Sequence, residues 1–231
     1  MAGVIEMLTE NLERYKGKFF YSHNTSGTPV SSSTTCSTDP ANPLKAMLII
    51  ENTATKDNSS SANTIVIPTY IRIHANTVGT SGTSAKFAFT IDTQLRYSSG
   101  GGALTTVQTR AGQDGDGAVT PTTAQAAVYF GNIVASAAST ANARQVGTAN
   151  FRATTASFRV GDIVEFNFGD FNQGAHRVAT LQSIKAGFGL QPVFLEPQTC
   201  LIMNFIAAAQ TASGKYDIEV GHIEIKNGST Y

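Results

Sequence analysis

Segments in which apolar and polar residues alternate recur along this 231-residue chain, and they constrain its fold more than any other feature. A period of two is the pattern of a β-strand with one buried face. Residues 64–74, 163–168 and 215–226 show it most clearly, and turn-forming residues separate the segments. Parallel sheets need helices between their strands, and no helical pattern lies between these segments. The sequence therefore predicts an all-β, antiparallel protein.

The spacing of the segments predicts two packed sheets, a β-sandwich of about nine or ten strands. The predicted strands are residues 18–21, 45–51, 64–74, 85–96, 127–134, 151–160, 163–168, 188–195, 199–207 and 215–226. Pro68 interrupts the third of these, so that strand is predicted to be an edge strand or a kinked one. Residues 22–43 and 97–125 are predicted loops, and ordered loops this long usually serve a function or contact a partner.

One segment, at the N-terminus, has the spacing of a helix. Its apolar residues form a single stripe: Val4, Ile5, Leu8, Leu12 and Tyr15. Gly17 is placed to end the helix, so we predict an amphipathic arm at residues 1–17 and a single sandwich domain at residues 18–231. A helix this short is not stable alone. It must dock on its own sandwich or on a neighbouring subunit, and the sequence leaves both open.

Charged residues make up only 14% of the chain, against roughly 25% in an ordinary soluble domain. Small and neutral polar residues replace them, which suits surfaces that pack against copies of the same protein, although secreted β-proteins have a similar composition. The formal net charge is +0 and there is no basic patch, so we expect no direct binding of nucleic acid. No apolar run approaches the roughly 20 residues that span a bilayer, so we expect no membrane role.

No catalytic motif stands out, so we expect a protein without enzymatic activity, cofactor or metal. The sequence has no nucleophile elbow, no HExxH, no Walker loop and no CxxC. Asp114 and Asp116 begin a calcium-loop pattern, but the twelfth position lacks the required Glu, which favours a plain Gly/Asp turn. Cys36 and Cys200 have no framework spacing and are expected to be free thiols.

The remaining polar groups are scattered along the sequence. The histidines are His23, His74, His176 and His222. Two of them, His74 and His222, end alternating segments, where they could face each other across strands. Three carboxylates lie near one another in sequence: Asp162, Glu165 and Asp170. A carboxylate pair can hydrolyse glycosides, but the absence of Trp and of an aromatic platform argues against a sugar-cleaving cleft.

The last third of the chain has a distinctive order of features. A proline-led bend at residues 192–197 precedes an apolar strand, a polar tip at residues 208–214 follows, and the final strand carries alternating acidic residues. This pattern resembles the closing hairpin of jelly-roll virion proteins of bacteriophages, and the low charge and small-residue loops are similar too. The resemblance implies a jelly-roll sandwich acting as a capsid, decoration or spike subunit in symmetric oligomers. It carries no functional residues.

These features lead to the hypothesis of a virion structural protein, a self-associating capsid or capsid-decoration subunit. We expect it to bind copies of itself and other virion proteins, with the N-terminal stripe and the long loops making subunit contacts. Because no signal peptide is recognisable, we expect assembly in the host cytoplasm and a final location in the virion. The alternative is a receptor- or carbohydrate-binding β-sandwich of a phage tail or spike. It would bind a host receptor or glycan through loop aromatics such as Tyr97 and Phe171.

Overall fold

The computed structural model describes residues 18–24, 27–30, 46–56, 63–77, 86–108, 123–136, 142–150, 159–169, 176–179, 184–206 and 214–226. Within these ranges the chain forms strands and turns and no helix, as the alternation predicts. In particular, the described part has no helix of the length and apolar character needed to cross a membrane. Its fourteen strands are β1 (Lys18–His23), β2 (Thr28–Val30), β3 (Ala46–Asn52), β4 (Thr64–Thr77), β5 (Lys86–Asp92), β6 (Tyr97–Ala103), β7 (Thr105–Gln108), β8 (Ala126–Ala135), β9 (Ala143–Asn150), β10 (Ile163–Phe168), β11 (His176–Ala179), β12 (Ile184–Leu190), β13 (Cys200–Ile206) and β14 (Gly214–Lys226).

The strands form two sheets. Sheet A has the order β11-β12-β10-β4-β14-β1-β7, and β2 pairs with the beginning of β14. Sheet B has the order β6-β8-β3-β13-β5-β9. Neighbouring strands are antiparallel except β10 and β12, which run parallel. The prediction of a two-sheet, mainly antiparallel β-sandwich is confirmed.

Eight of the strands follow a nested pairing order. Strand β1 pairs with β14, β3 with β13, β4 with β10 and β5 with β9, in every case antiparallel. The first of the eight thus meets the last, the second meets the seventh, and so on inward. Successive pairs alternate between sheet A and sheet B. These eight strands are therefore paired like the two arms of one long hairpin, folded so that its successive pairs lie in alternate sheets.

The space between the sheets is filled by apolar side chains, with aromatic rings at its centre. The ring of Phe166 from sheet A packs edge-on against Phe87 and Phe89 from sheet B, with centroid distances of 5.1 and 4.8 Å. Phe205 and Tyr216 make a further contact between the sheets at 6.2 Å. Such ring pairs contribute about 0.5–1.5 kcal/mol each beyond the area that they bury. These contacts help to hold sheet A and sheet B together.

Strand β4 lies inside sheet A, between β10 and β14, so the prediction of an edge strand is wrong, and the ladder with β14 is instead irregular at Pro68. Along β14, His222 lies opposite Pro68 while Gly221 lies opposite Tyr70. Thr69 is therefore one residue too many for the ladder, which makes a β-bulge. A bulge is one of the few places where a sheet tolerates proline, because the regular hydrogen-bond ladder is already interrupted there.

The bulge also reverses which residues of β4 face the core. The alternation predicts Ile65, Ile67 and Ile71 on one face, but Val66 and Ile71 share the main core. Ile65 and Ile67 instead join Phe19 in a separate apolar cluster. The predicted assignment of faces is therefore wrong for the part of β4 that precedes Pro68, because a one-residue insertion exchanges the two sides of a strand.

Several elements depart from the predicted boundaries. The expectation of a coreless loop at residues 97–125 is wrong for its first part, which forms β6 and β7. Strand β6 contains Gly100 and Gly101, both with positive φ, and a Cβ on either would clash with the backbone of β8. Strand β9 lies in a stretch of small residues, and strands β2 and β11 are short; none of the three was predicted. Strands β5 and β12 end earlier than expected, at Asp92 and Leu190. The predicted arm at residues 1–17 lies outside the described residues, as does most of the predicted strand 151–160.

Candidate functional site

A groove of about 420 Å³ lies on the outer face of sheet A, across strands β10, β4, β14 and β1. Its lining residues are Tyr21, His23, Asn24, Arg72, His74, Ile163, Asp217, Ile218 and Glu219. The volume falls within the range of about 300–1,000 Å³ that is typical of small-molecule sites. Seven of these nine residues have polar or charged side chains, which distinguishes the groove from the apolar space between the sheets.

Strand register explains how these residues come together. Along a strand every second side chain points to the same face, so the outward positions of four neighbouring strands form rows across sheet A. In one row, Arg72 lies opposite Glu165 of β10 and Glu219 of β14. In the next row, His74 lies opposite Asp217 of β14. Residues far apart in sequence thus become neighbours on one surface.

Arg72 occupies the centre of this surface and binds two carboxylates. Its Nη2 lies 2.8 Å from Oε2 of Glu165, and its Nη1 lies 2.8 Å from Oε2 of Glu219. The guanidinium carbon also lies 5.6 Å from the centre of the Tyr70 ring. Burial alone would lower the pKa of Arg72, but the hydrogen bond and negative charge of Glu165, together with the charge of Glu219, raise it instead. Arg72 therefore stays charged and, with its two glutamates, forms the floor of the groove.

The rim of the groove is held by asparagine side chains. Oδ1 of Asn24 accepts a 2.6 Å hydrogen bond from the backbone N–H of Ile218, and Nδ2 of Asn24 donates to the carbonyl of Tyr216 at 3.2 Å. Asn76 donates to Oδ2 of Asp217 at 2.7 Å. These bonds tie the end of β1 and the side chain of Asp217 to the sheet, so the rim is fixed before any ligand binds.

One wall of the groove is aromatic. The rings of Tyr21 and His23 lie 5.1 Å apart. Burial raises the pKa of Tyr21, and the charge of Glu219 and a hydrogen bond to it raise the pKa further. The imidazoles of His23 and His74 also line the groove. The groove thus combines carboxylates, two imidazoles and a tyrosine ring.

A second polar cluster is buried at one end of sheet B and has a structural role. The segment from β5 to β6 crosses the end of this sheet, and Oε1 of Glu51 accepts the backbone N–H groups of Arg96 and Tyr97 at 2.6 and 2.7 Å. Arg96 and Asp92 are both 1% exposed, and their nearest charged atoms lie 3.4 Å apart. The Sγ of Cys200 donates to a carbonyl of the same segment. Glu51 therefore holds the crossing segment in place.

A third polar pair, His222 and Glu224, lies at the β-bulge. The His222 ring stacks on Phe20 at 5.3 Å, and its Nε2 lies 3.4 Å from Oε1 of Glu224. That oxygen accepts the backbone N–H groups of Gln125 and Ala126. Neither ring nitrogen of His222 has a hydrogen bond among the described residues. The pair is closed to solvent and joins β14 to the start of β8.

The structure separates residues that the sequence pattern placed near one another. His74 lies in the groove and His222 is buried beside Phe20, so the expectation that they face each other is wrong. Asp162 is buried in the turn before β10, where its Oδ2 accepts the N–H of Arg159, and Glu165 binds Arg72 instead. The two carboxylates therefore serve different partners.

The other predicted residues fall into two groups. Tyr97 stacks on Tyr129 with a centroid distance of 3.6 Å, and Cys200 is a buried free thiol, as expected. Those that lie outside the described residues are Val4, Ile5, Leu8, Leu12, Tyr15, Cys36, Asp114, Asp116, Asp170 and Phe171. In the described part, no group of three or more His, Cys, Asp or Glu residues is arranged to hold a metal ion.

The groove itself was not predicted from the sequence. Its members come from four strands, and the signal that could have found them is the run of polar residues at the outward positions of β4 and β14. No protein-family model, curated protein or solved structure matches this chain. Interpretation of the site therefore depends on its own geometry and chemistry.

Proposed function

We propose that this chain is a virion structural protein: a self-associating capsid or capsid-decoration subunit with a jelly-roll fold and no catalytic activity. Its partners are copies of itself and other virion proteins. The observation that carries the proposal is the nested order of the eight paired strands.

This order supports the jelly-roll assignment. A jelly roll is a two-sheet sandwich of eight strands wound as two Greek keys. The pairing of β1 with β14, β3 with β13, β4 with β10 and β5 with β9 supports that winding, in which the other strands would be additions at the edges and in the connections. Capsid proteins are among the main users of this architecture, as are lectins and cupins. Because a fold alone does not decide function, the surface must discriminate among them.

The filled interior supports a role that uses the outside of the sandwich. Phe87, Phe89 and Phe166 are each 0% exposed and occupy the centre between the sheets. A sandwich packed in this way has its outer faces, loops and edges available for binding. Contacts between subunits use such surfaces.

The free edge of sheet A offers one such contact. Strand β7 is the last strand of sheet A on its side among the described residues, and it contains neither a charged residue nor a proline. Natural proteins usually protect an exposed edge with charge, proline or a bulge, because its unpaired N–H and C=O groups invite pairing with another chain. Val107 in this strand is 44% exposed. An edge without charge or proline suits association with a second copy.

The N-terminal arm is the second proposed contact. The stripe formed by Val4, Ile5, Leu8, Leu12 and Tyr15 would bind an apolar surface of a neighbouring subunit. Substitution of Leu8 by Asp should then reduce association while leaving the subunit folded, whereas Glu10→Gln on a polar position should not. A Leu8→Asp variant that associates normally but unfolds at lower denaturant would instead place the arm on its own sandwich.

Molar mass measured by light scattering on the full chain tests the proposal directly. We expect a defined oligomer or a shell-like particle whose mass is constant over a wide concentration range. In the Val107→Lys variant, a charge at the edge of β7 should shift the equilibrium towards the monomer. The matched control is Val160→Lys, which makes the same change at an exposed turn position.

Two outcomes separate the parts of the proposal. If both valine variants have the same molar mass as the unsubstituted protein, the β7 edge is excluded as a contact. The functional proposal would then depend on the arm. A full-length protein that stays a folded monomer at high concentration would overturn the structural role itself.

A further inference from the structure

The groove on sheet A has features that self-association does not explain. We propose that it is a binding site for a neutral saccharide, in which hydroxyl groups bind the polar floor and one face of the sugar ring packs on Tyr21. This inference stands apart from the proposed structural role, because it depends on the outer face of sheet A and not on edges or on the arm.

The charge of the groove selects against anionic ligands. One positive side chain, Arg72, lies among three negative ones, Glu165, Asp217 and Glu219. This excess of negative charge would repel an anion. The guanidinium of Arg72 is already bound by two glutamates, so it has no free edge for a further carboxylate. Like-charge contacts of this kind strongly oppose binding.

The carboxylates of the groove already have partners within this chain, but they can still accept hydrogen bonds. Glu219 is bound by Arg72 and by Tyr21. Asp217 already accepts a hydrogen bond from Asn76. Each carboxylate oxygen has two lone pairs, so a carboxylate that already accepts one hydrogen bond can accept another from a hydroxyl group.

The remaining groups match the chemistry of a sugar. The imidazoles of His23 and His74 can each donate and accept a hydrogen bond, as a sugar hydroxyl does. Tyr21 supplies an aromatic face and Ile163 a small apolar surface, which suits the C–H face of a pyranose ring and is too little for an apolar ligand. The rim is already fixed by Asn24 and Asn76, so binding would cost little conformational entropy.

Glycan-array screening of the full-length protein, followed by calorimetric titration with the neutral oligosaccharides that bind, tests this site. Tyr21→Ala should weaken binding about tenfold or more, since it removes the stacking surface. Tyr129→Ala makes the same change on the outer face of sheet B and should leave binding unchanged. The His23→Ala/His74→Ala double variant should also weaken binding, and circular dichroism would verify that each variant is folded.

The outcomes decide between this site and its alternatives. Absence of binding to any neutral glycan at millimolar concentration would overturn the proposal, as would equal binding by the two tyrosine variants. Tighter binding of an arginine-rich peptide or of sialylated glycans than of neutral ones would overturn the ligand class. Light scattering of the same variants separates the two proposals, because loss of sugar binding with normal association leaves the structural role intact.

Discussion

Asn52 provides the sharpest test of how the sandwich is held together at one corner. Its side chain is 0% exposed and joins three segments. Nδ2 donates to the carbonyl oxygens of Thr64 and Leu195 at 2.6 and 2.7 Å, and Oδ1 accepts the N–H of Ala54 at 3.1 Å. Substitution by Asp keeps the shape but replaces the donor by an oxygen, which would face two carbonyl oxygens.

The expected cost follows from these contacts. Two hydrogen bonds are lost, worth about 1 kcal/mol each, and a buried carboxylate is left opposite two acceptors. We expect Asn52→Asp to lower the free energy of unfolding by about 3–5 kcal/mol at neutral pH. Asn52→Ala, which loses the bonds without adding charge, should cost about 2–3 kcal/mol.

The pH dependence distinguishes the two variants. Burial without a donor should raise the pKa of the new carboxyl in the folded state above its unfolded value of about 3.9. A protonated carboxyl can donate one bond, so the cost should be smallest at or below about pH 4 and should grow as pH rises through the folded pKa. Urea unfolding followed by circular dichroism, with the unsubstituted protein measured at each pH, gives these values. A pH-independent difference, or a cost at neutral pH below about 1 kcal/mol, would refute the reasoning.

Three further predictions concern single groups. Burial raises the pKa of Tyr216 to about 12, so in an ultraviolet absorbance titration this tyrosine should ionise at higher pH than the exposed ones. The free energy of unfolding should decrease as pH rises from about 10 towards that value, since the unfolded tyrosine ionises near 10. Burial also raises the pKa of the Cys200 thiol, so a Cys36→Ser variant should react with a thiol reagent only after denaturation. Arg72→Met should cost about 1 kcal/mol, because its ion pairs are partly exposed, and the cost should shrink in concentrated salt; an equal cost at all salt concentrations would contradict an electrostatic role.

How well the sequence predicts the fold depends on how regularly a strand alternates. Strands β10 and β14 were predicted within one residue, because one face is buried and the other polar along most of their length. Strands β6 and β9 consist largely of small residues, so hydrophobic periodicity carries no signal there. The bulge at Thr69 is invisible in the sequence for a related reason. It depends on which partner strand lies opposite, and a proline alone does not reveal the partner.

The groove could not be predicted for the same reason. The outward positions of β4 and β14 are visibly polar, which indicates a solvent-facing surface. That Arg72 meets Glu165 and Glu219 follows from strand pairing across almost 150 residues of sequence, since the Arg72–Glu219 hydrogen bond spans 147 positions. The same holds for the buried polar contacts of Glu51 and Asn52, whose partners lie in other segments.

The nested order of strands also has a consequence for biogenesis. Strand β14 fills the middle of sheet A, between β4 and β1, so that sheet exists only as two separate halves until β14 has been synthesised. While the ribosome is still translating, β1 and β4 each present an open edge, the kind of surface that promotes aggregation. The two halves of sheet A can therefore join only after β14 has been translated. A chain that terminates before Gly214 should accumulate as insoluble protein.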